Sequence, residues 1–256
     1  MKPEHFLVIG NGPAGFNAAL TLRKKAPKSQ ITILSKEIES HYSPHLLPGF
    51  ISGKIEENAI YPFPFSIYRE NKIKLRNRQE AIALNISRRE LTLAHNETIS
   101  FDGLIIAAGG KPRIIEPLLR FKNFMLTLKT VQNAKHWVQT LKEVDSVFIT
   151  GGDLTSLAFS KALVEMNKKV FFLLNKEALW PLRHTPTLFY EIKEALTQRG
   201  VHVIDGPGVT TISKVSKNVF GITTGNTTVK AGTVGAFFGL TPDIRFLAES
   251  GLNIDR

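Results

Sequence analysis

The chain has 256 residues, a formal net charge of +11, 43% hydrophobic and 21% charged residues, and no cysteine. That length holds one large domain or two ordinary ones, and the balance is that of a globular chain rather than a disordered one. Without cysteine, structural disulfides, thiolate metal sites and dithiol redox chemistry are excluded, and no metal site is expected.

The basic residues are dispersed, in pairs such as Lys24-Lys25, Arg88-Arg89 and Lys168-Lys169. They read as solvated faces and not as a nucleic-acid surface. Only Met1 to His5 precede the first predicted strand, which leaves no room for a signal peptide, and no apolar run approaches membrane-spanning length. No membrane span is expected, and a cytoplasmic location follows as the default.

In chain order, Phe6-Leu7-Val8-Ile9 reads as a short buried strand. Gly10-Asn11-Gly12-Pro13-Ala14-Gly15 follows, then a helix with Phe16, Ala19, Leu20 and Leu22 at helical spacing that stops at Pro27. Ile31 to Leu34 supplies a parallel second strand. A glycine fingerprint in this setting points to a bound dinucleotide. Gly10 permits the tight turn, Gly12 lets backbone approach a pyrophosphate, Gly15 lets the helix pack on its strand, and the diphosphate rests on free helix N–H groups.

From about residue 58 to 112 the chain predicts short returning strands, with Ala81 to Leu84 antiparallel to Glu90 to Leu93. The apolar run from Phe101 ends in Ala107-Ala108-Gly109-Gly110, small residues beside which another backbone or a ligand can pass closely. Residues 130 to 143 read as a helix, Ser146 to Thr150 as a strand, Leu157 to Asn167 as a second helical run and Val170 to Leu174 as the next strand. The opening unit is thus repeated, with Gly151-Gly152-Asp153-Leu154-Thr155-Ser156 at the turn. Either two nucleotides are bound, or one unit binds and the other is kept for architecture.

Four segments carry a family resemblance: the first fingerprint, Tyr42-Ser43-Pro44-His45-Leu46-Leu47-Pro48, Phe101 to Gly109, and Phe237-Phe238-Gly239-Leu240-Thr241-Pro242-Asp243. Through them the whole chain resembles the pyridine nucleotide–disulfide oxidoreductase superfamily, most of all its single-flavin reductases of the rubredoxin-reductase and NADH-oxidase kind. The resemblance implies an α/β fold of two Rossmann-like dinucleotide-binding domains, the second inserted in the first, each with a parallel sheet and a small antiparallel meander. Residues 1–112 would be the N-terminal part of an FAD-binding domain, 113–241 an NAD(P)-binding-like domain, and 242–256 the start of the return to the FAD domain. Relatives continue into a strand with a Gly-Asp pair and an interface domain, so a truncated chain is expected, or one completed by a second polypeptide.

The resemblance also implies site residues. Gly10, Gly12, Pro13, Ala14 and Gly15 would hold the FAD pyrophosphate. Ser35 stands where relatives carry a ribose-binding carboxylate, with Lys36 and Glu37 following, and Glu37 is either a substitute for it or an ordinary surface glutamate. Ala81 matches a backbone contact to adenine, and Ala107-Ala108-Gly109 matches the family's Ala-Thr-Gly turn. Ser43 and Pro44 run beside the flavin ring, with His45 where peroxidase-like members carry a redox cysteine. His45 is therefore either a proton donor near the flavin or a packed histidine. Gly49 replaces a lysine found in some relatives.

Gly239, in the segment that resembles the strand leaving the NAD(P) domain, is matched to a cofactor contact, and Gly151 and Gly152 to the second nucleotide site, which departs from its pattern: Asp153 and Ser156 replace glycines, Ala158 a glutamate, and Leu174 or Asn175 the ribose-binding acid. A carboxylate at Asp153 is expected to repel a pyrophosphate, and Lys168 or Lys176 to be the nearest candidates for recruiting an anion. The function expected is FAD-dependent electron transfer from NAD(P)H to a protein or small-molecule acceptor without a redox cysteine. An acidic rubredoxin- or ferredoxin-like carrier suits the basic surface, and a homodimer is among the assemblies the resemblance allows. The alternative is a flavin- or nucleotide-binding module or accessory subunit with a degenerate NAD(P) site.

Overall fold

A computed structural model describes residues 4–179 and 185–254, with the side chains of Lys176 and Glu177 outside the description. In chain order the elements are β1 (His5–Ile9), α1 (Pro13–Lys25), β2 (Gln30–Leu34), α2 (Leu47–Ile51), α3 (Ser66–Glu70), β3 (Ile73–Arg76) and β4 (Ala81–Asn85). Then come β5 (Glu90–Leu93), β6 (Thr98–Ser100), β7 (Gly103–Ile106), β8 (Gly110–Pro112), β9 (Met125–Leu126), α4 (Val131–Glu143), β10 (Ser146–Gly151) and α5 (Leu154–Glu165). The rest are β11 (Lys169–Leu174), α6 (Pro186–Gln198), β12 (His202–Ile204), β13 (Val209–Ser216), β14 (Val219–Thr224), β15 (Thr227–Ala231), β16 (Thr233–Phe237) and β17 (Leu240–Pro242).

The chain divides into two compact units, one formed by residues 1–43, 61–111 and 242–256, the other by 44–60 and 112–241. The segment 44–60, expected with the first unit, groups with the second. Each unit holds a parallel sheet and a three-stranded antiparallel sheet, as the α/β reading requires.

In the first unit the parallel sheet has the order β3-β2-β1-β7. Strand β1 pairs in register with β2 from His5 opposite Gln30 to Ile9 opposite Leu34, and with β7 from Phe6 opposite Gly103 to Ile9 opposite Ile106. A central parallel strand is covered on both faces, which is why β1 is a continuous apolar run. Its two faces feed two clusters. Val8, Phe16, Ala19, Ile31, Ile33, Tyr68 and Ile73 form one, and Leu7, Leu34, Leu84, Leu91, Leu93, Phe246 and Leu247 form the other. Each fully buried aliphatic side chain contributes about 1.5–3 kcal/mol by leaving water.

The second unit repeats the pattern with the order β12-β11-β10-β16-β9, β10 pairing parallel with β11 and β16. Its core gathers Leu118, Phe148, Leu173, Ile212, Ile222 and Val234.

Three elements differ from the sequence reading. Helix α5 begins at Leu154, three residues earlier than expected, because Asp153 caps it; it ends at Glu165, and Asn167 lies beyond it at φ +58°. Of the apolar run from Phe101, Gly103–Ile106 is strand and Ala107-Ala108-Gly109 is not, with Gly109 at φ +65° before Gly110 opens β8. The stretch from Phe237 is broken between β16 and β17 by Gly239, at φ +80°.

Candidate dinucleotide sites

In the first unit the turn between β1 and α1 is built on contacts that only glycine allows. Gly10 sits at φ +103°, and a Cβ there would lie 2.1 Å from the carbonyl oxygen of Ala107. A Cβ on Gly15 would lie 1.9 Å from the oxygen of Gly10. The Gly10 N–H donates to Leu34 O at 2.8 Å and the Ala107 N–H to Ile9 O at 2.8 Å. Gly10, Gly15 and Ala107 are thereby brought together as one close-packed knot.

Gly12 is different. As N-cap of α1 it has φ −72°, no side-chain cap, and nothing within 4 Å of a hypothetical Cβ. Gly12, Pro13 and Ala14 are exposed, and the first turn of α1 carries no acidic residue, whereas its last turn holds Arg23, Lys24 and Lys25. Free helix N–H groups facing open space are an anion cradle. No contact within the fold demands glycine at position 12, so the residues present fit a diphosphate.

The strand-end residues are more committed than the sequence suggests. Ser35 is buried, and its Oγ accepts from the Glu37 N–H at 3.2 Å. Glu37 accepts from the Tyr42 hydroxyl at 2.8 Å. Lys36 is ion-paired with Glu80 at 2.9 Å and Asp243 at 2.7 Å, and the Asp243 N–H donates to Gly109 O. Partial burial opposes charging of Lys36, but hydrogen bonds to Asp243 and Glu80 outweigh it and hold its pKa above 10.5. Ala81 opens β4 at an irregularity in its pairing with β5, and Ala108 packs on the cluster around Leu7.

A buried polar network beside the fingerprint has no signal in the sequence, because its members come together only in the fold. The Tyr68 hydroxyl donates to Asn11 Oδ1 at 3.0 Å and accepts from the His41 N–H at 2.9 Å. The His41 ring stacks on Phe16 at 4.5 Å and 11°. Burial lowers the His41 pKa below 6.5, against an opposing hydrogen bond to the Asn11 backbone. Asn11 Nδ2 and His41 Nδ1 are buried without a hydrogen-bond partner. Orphaned polar atoms cost about 1–3 kcal/mol each, and a polar group placed beside Asn11 Nδ2 and His41 Nδ1 would relieve that cost.

Ser43 belongs to the first unit, while Pro44 and His45 belong to the second, in a 3-10 turn over Pro44–Leu46 where His45 is exposed. A Cβ on Gly49 would lie 2.6 Å from Ile55 Cδ1, so the lysine of some relatives is not accommodated there without moving Ile55.

In the second unit Gly151 repeats Gly10: φ is +125° and a Cβ would lie 1.8 Å from Phe237 O. Gly152 is buried, with its N–H donating to Phe237 O at 2.9 Å. At the position of Gly12, however, Asp153 turns its carboxylate back onto the fold. Oδ1 accepts from the Ser156 N–H at 2.8 Å and Oδ2 from the Gly239 N–H at 3.0 Å. Ser156 is fully buried and its Oγ donates to Asp153 O at 2.6 Å. Of the N–H groups at the start of α5, that of Ser156 is taken by the protein's own carboxylate.

Beside Asp153 lies a cavity of about 130 Å³ walled by Lys129, Thr155, Phe237 and Gly239. A cleft of about 740 Å³ opens at the carboxyl ends of β10 to β12, lined by Thr150, Leu174, Asn175, Asp205, Gly206 and Phe238 among others, and by no residue from Gly151 to Ser156. Lys168 is not available to recruit an anion, since its Nζ donates to Val144 O at 2.7 Å; the Lys176 side chain lies outside the described residues. Among the described residues, no group of three or more His, Asp or Glu side chains is placed to hold a metal, and no helix is long and apolar enough to cross a membrane.

A family model described as pyridine nucleotide-disulphide oxidoreductase matches residues 4–256. The rubredoxin-NAD(+) reductase of Pseudomonas putida is 24% identical over 250 residues, covering 97% of this chain and 65% of the relative. A covalent putidaredoxin reductase–putidaredoxin complex superposes with TM-score 0.87 at 20% identity, covering 98% of this chain and 62% of the other. A ferredoxin reductase from Rhodopseudomonas palustris gives TM-score 0.88 at 20% identity, with 98% and 63% covered. The chain thus spans a little under two thirds of the length of these relatives.

Proposed function

Because the chain belongs to the pyridine nucleotide-disulphide oxidoreductase family, whose members bind FAD and use NAD(P)H, we propose that it is the dinucleotide-binding part of an FAD-dependent oxidoreductase. In this reading FAD is held by the first unit, and electrons pass through it to a protein carrier or small-molecule acceptor without a redox cysteine. The observation that carries the proposal is the open cradle at Gly12, where the fold leaves helix N–H groups unmatched and keeps a glycine it does not itself need.

A bound flavin supplies the redox chemistry, taking electrons as a pair and handing them on. The chain's own residues bind and orient. The N–H groups of Ala14 and Gly15 at the start of α1 would hold the diphosphate. Ala107 to Gly109 let backbone lie close. Glu37, held by Tyr42, is the strand-end acid nearest in sequence to the ribose position. His45, exposed in its 3-10 turn, is proposed as a proton donor. The +11 net charge steers an acidic carrier by long-range attraction, in line with relatives named as reductases of rubredoxin and putidaredoxin.

The second unit does not fit a nicotinamide dinucleotide in the same pose, since Asp153 fills its helix N-terminus. That observation favours the second reading, a flavin-binding module or accessory subunit. Anaerobic mixing of the FAD-loaded chain with NADH and NADPH separates the two. Bleaching of the flavin supports nicotinamide-driven turnover. Stoichiometric FAD without bleaching supports the module, and failure to bind FAD rejects both.

A further inference from the structure

We propose that Asp153 is a built-in anion that closes the second unit to the diphosphate of NAD(P). The two units are built alike up to this residue: Gly10 and Gly151 both take positive φ against a carbonyl oxygen of the neighbouring strand's end, and both precede a helix. At the next approach point the first unit leaves space, and the second supplies a carboxylate. Its two oxygens are held by separate backbone donors, Ser156 N–H on its own helix and Gly239 N–H on the segment after β16. An incoming diphosphate would have to displace both hydrogen bonds and then stand beside a like charge.

Two further features point the same way. A Cβ at the Gly15 position of the first unit would collide with the turn, yet the second unit carries the buried Ser156 there, so the close helix–turn contact that glycine permits in the first unit is not repeated in the second. The strand-end residue Asn175 uses its N–H on Gly151 O at 2.7 Å, and the large cleft beside it is lined by nothing from Gly151 to Ser156. A ligand in that cleft is therefore not led to the helix N-terminus as a dinucleotide is in the first unit. The inference rests on the flavoprotein reading only in taking the first unit to be filled by FAD.

The test is calorimetric titration of the FAD-loaded chain with NADH, NADPH and ADP-ribose, which needs no turnover. The parent is expected to show no saturable binding up to about 1 mM. D153G, a substitution to another tolerated cap residue, is expected to bind ADP-ribose at least about tenfold tighter, and D153G with S156G tighter still. D153N keeps an acceptor and loses the charge, and is expected to gain less than D153G. The proposal fails if the parent binds NADH or ADP-ribose with Kd on the order of 10 μM, or if folded D153G gains nothing. If D153G does not fold, by circular dichroism, D153N decides: a several-fold gain supports the plug and no gain overturns it. If FAD does not load, the flavoprotein reading falls, while the difference between parent and D153G in ADP-ribose binding still decides the plug.

Discussion

Helices α1 and α5 are entered by the same device, a glycine at positive φ pressed against a neighbouring carbonyl oxygen, and they part company at the next turn residue but one. Gly12 has nothing within 4 Å of where a side chain would begin, and Asp153 folds its side chain back onto two amides. The difference separates two roles that a glycine fingerprint merges. The first glycine is required by the backbone and is kept in both units. The second is demanded by no contact within the fold, and is kept where a ligand is proposed.

The sharpest way to break that division is to place an alanine at each glycine in turn. G10A and G151A force a Cβ to 2.1 and 1.8 Å from backbone oxygen at a φ that L-residues avoid, and each is expected to destabilise by about 4 kcal/mol or more. G12A meets no atom and should stay within about 0.5 kcal/mol of the parent. Differential scanning calorimetry reads this directly. A melting temperature for G12A that falls as far as that for G10A would erase the distinction.

The next comparison exchanges the residues. G12D imports the second unit's carboxylate into the first and is expected to weaken FAD binding by about 100-fold, or about 2.7 kcal/mol, while the fold survives. Quenching of flavin fluorescence on titration measures it. Unchanged affinity would mean that the diphosphate does not approach at Gly12.

D153A tests the structural side of the same residue. It removes a helix cap and the tie to Gly239, with an expected cost of about 1–2 kcal/mol. Amide exchange should quicken first at Ser156 and Gly239. Loss confined to distant helices would contradict the capping role.

Much of the framework was legible in the chain, because local rules govern it. Apolar β1 and β10, the glycines at positive φ and the alternation of strand and helix all follow from neighbours in sequence. Even the closed second site was legible as a substitution, though not as a capped helix, since the Gly239 amide that completes it lies 86 residues away. The network of Asn11, His41 and Tyr68 left no trace for the same reason: a tyrosine 57 residues from Asn11 acquires meaning only when α3 packs beside the fingerprint. The family resemblance puts segment 44–60 within residues 1–112, whereas α2 packs on α4 and α5 and groups with the second unit.

The smallest expected effect concerns pH, and it again sets one unit against the other. His41 is held neutral by burial against Phe16, so its folded pKa lies below 6.5 while the unfolded chain takes up a proton near 6.5. The unfolded state therefore binds more protons just below that pH, and stability is full above about 6.5 and declines as pH falls through it toward the folded value. The apolar side of α5 is lined instead by Phe159 against Trp137 at 4.7 Å and Phe237 at 5.7 Å, which carry no titratable group. Hydrogen exchange at pH 5.5 against pH 7.5 should accordingly loosen β1, α1 and α3 more than β10 and α5. H41F keeps the stacked ring and removes the titration, so it should abolish the difference. If the two units loosened equally in the parent, or if H41F behaved as the parent does, the acid response would have to come from groups other than His41.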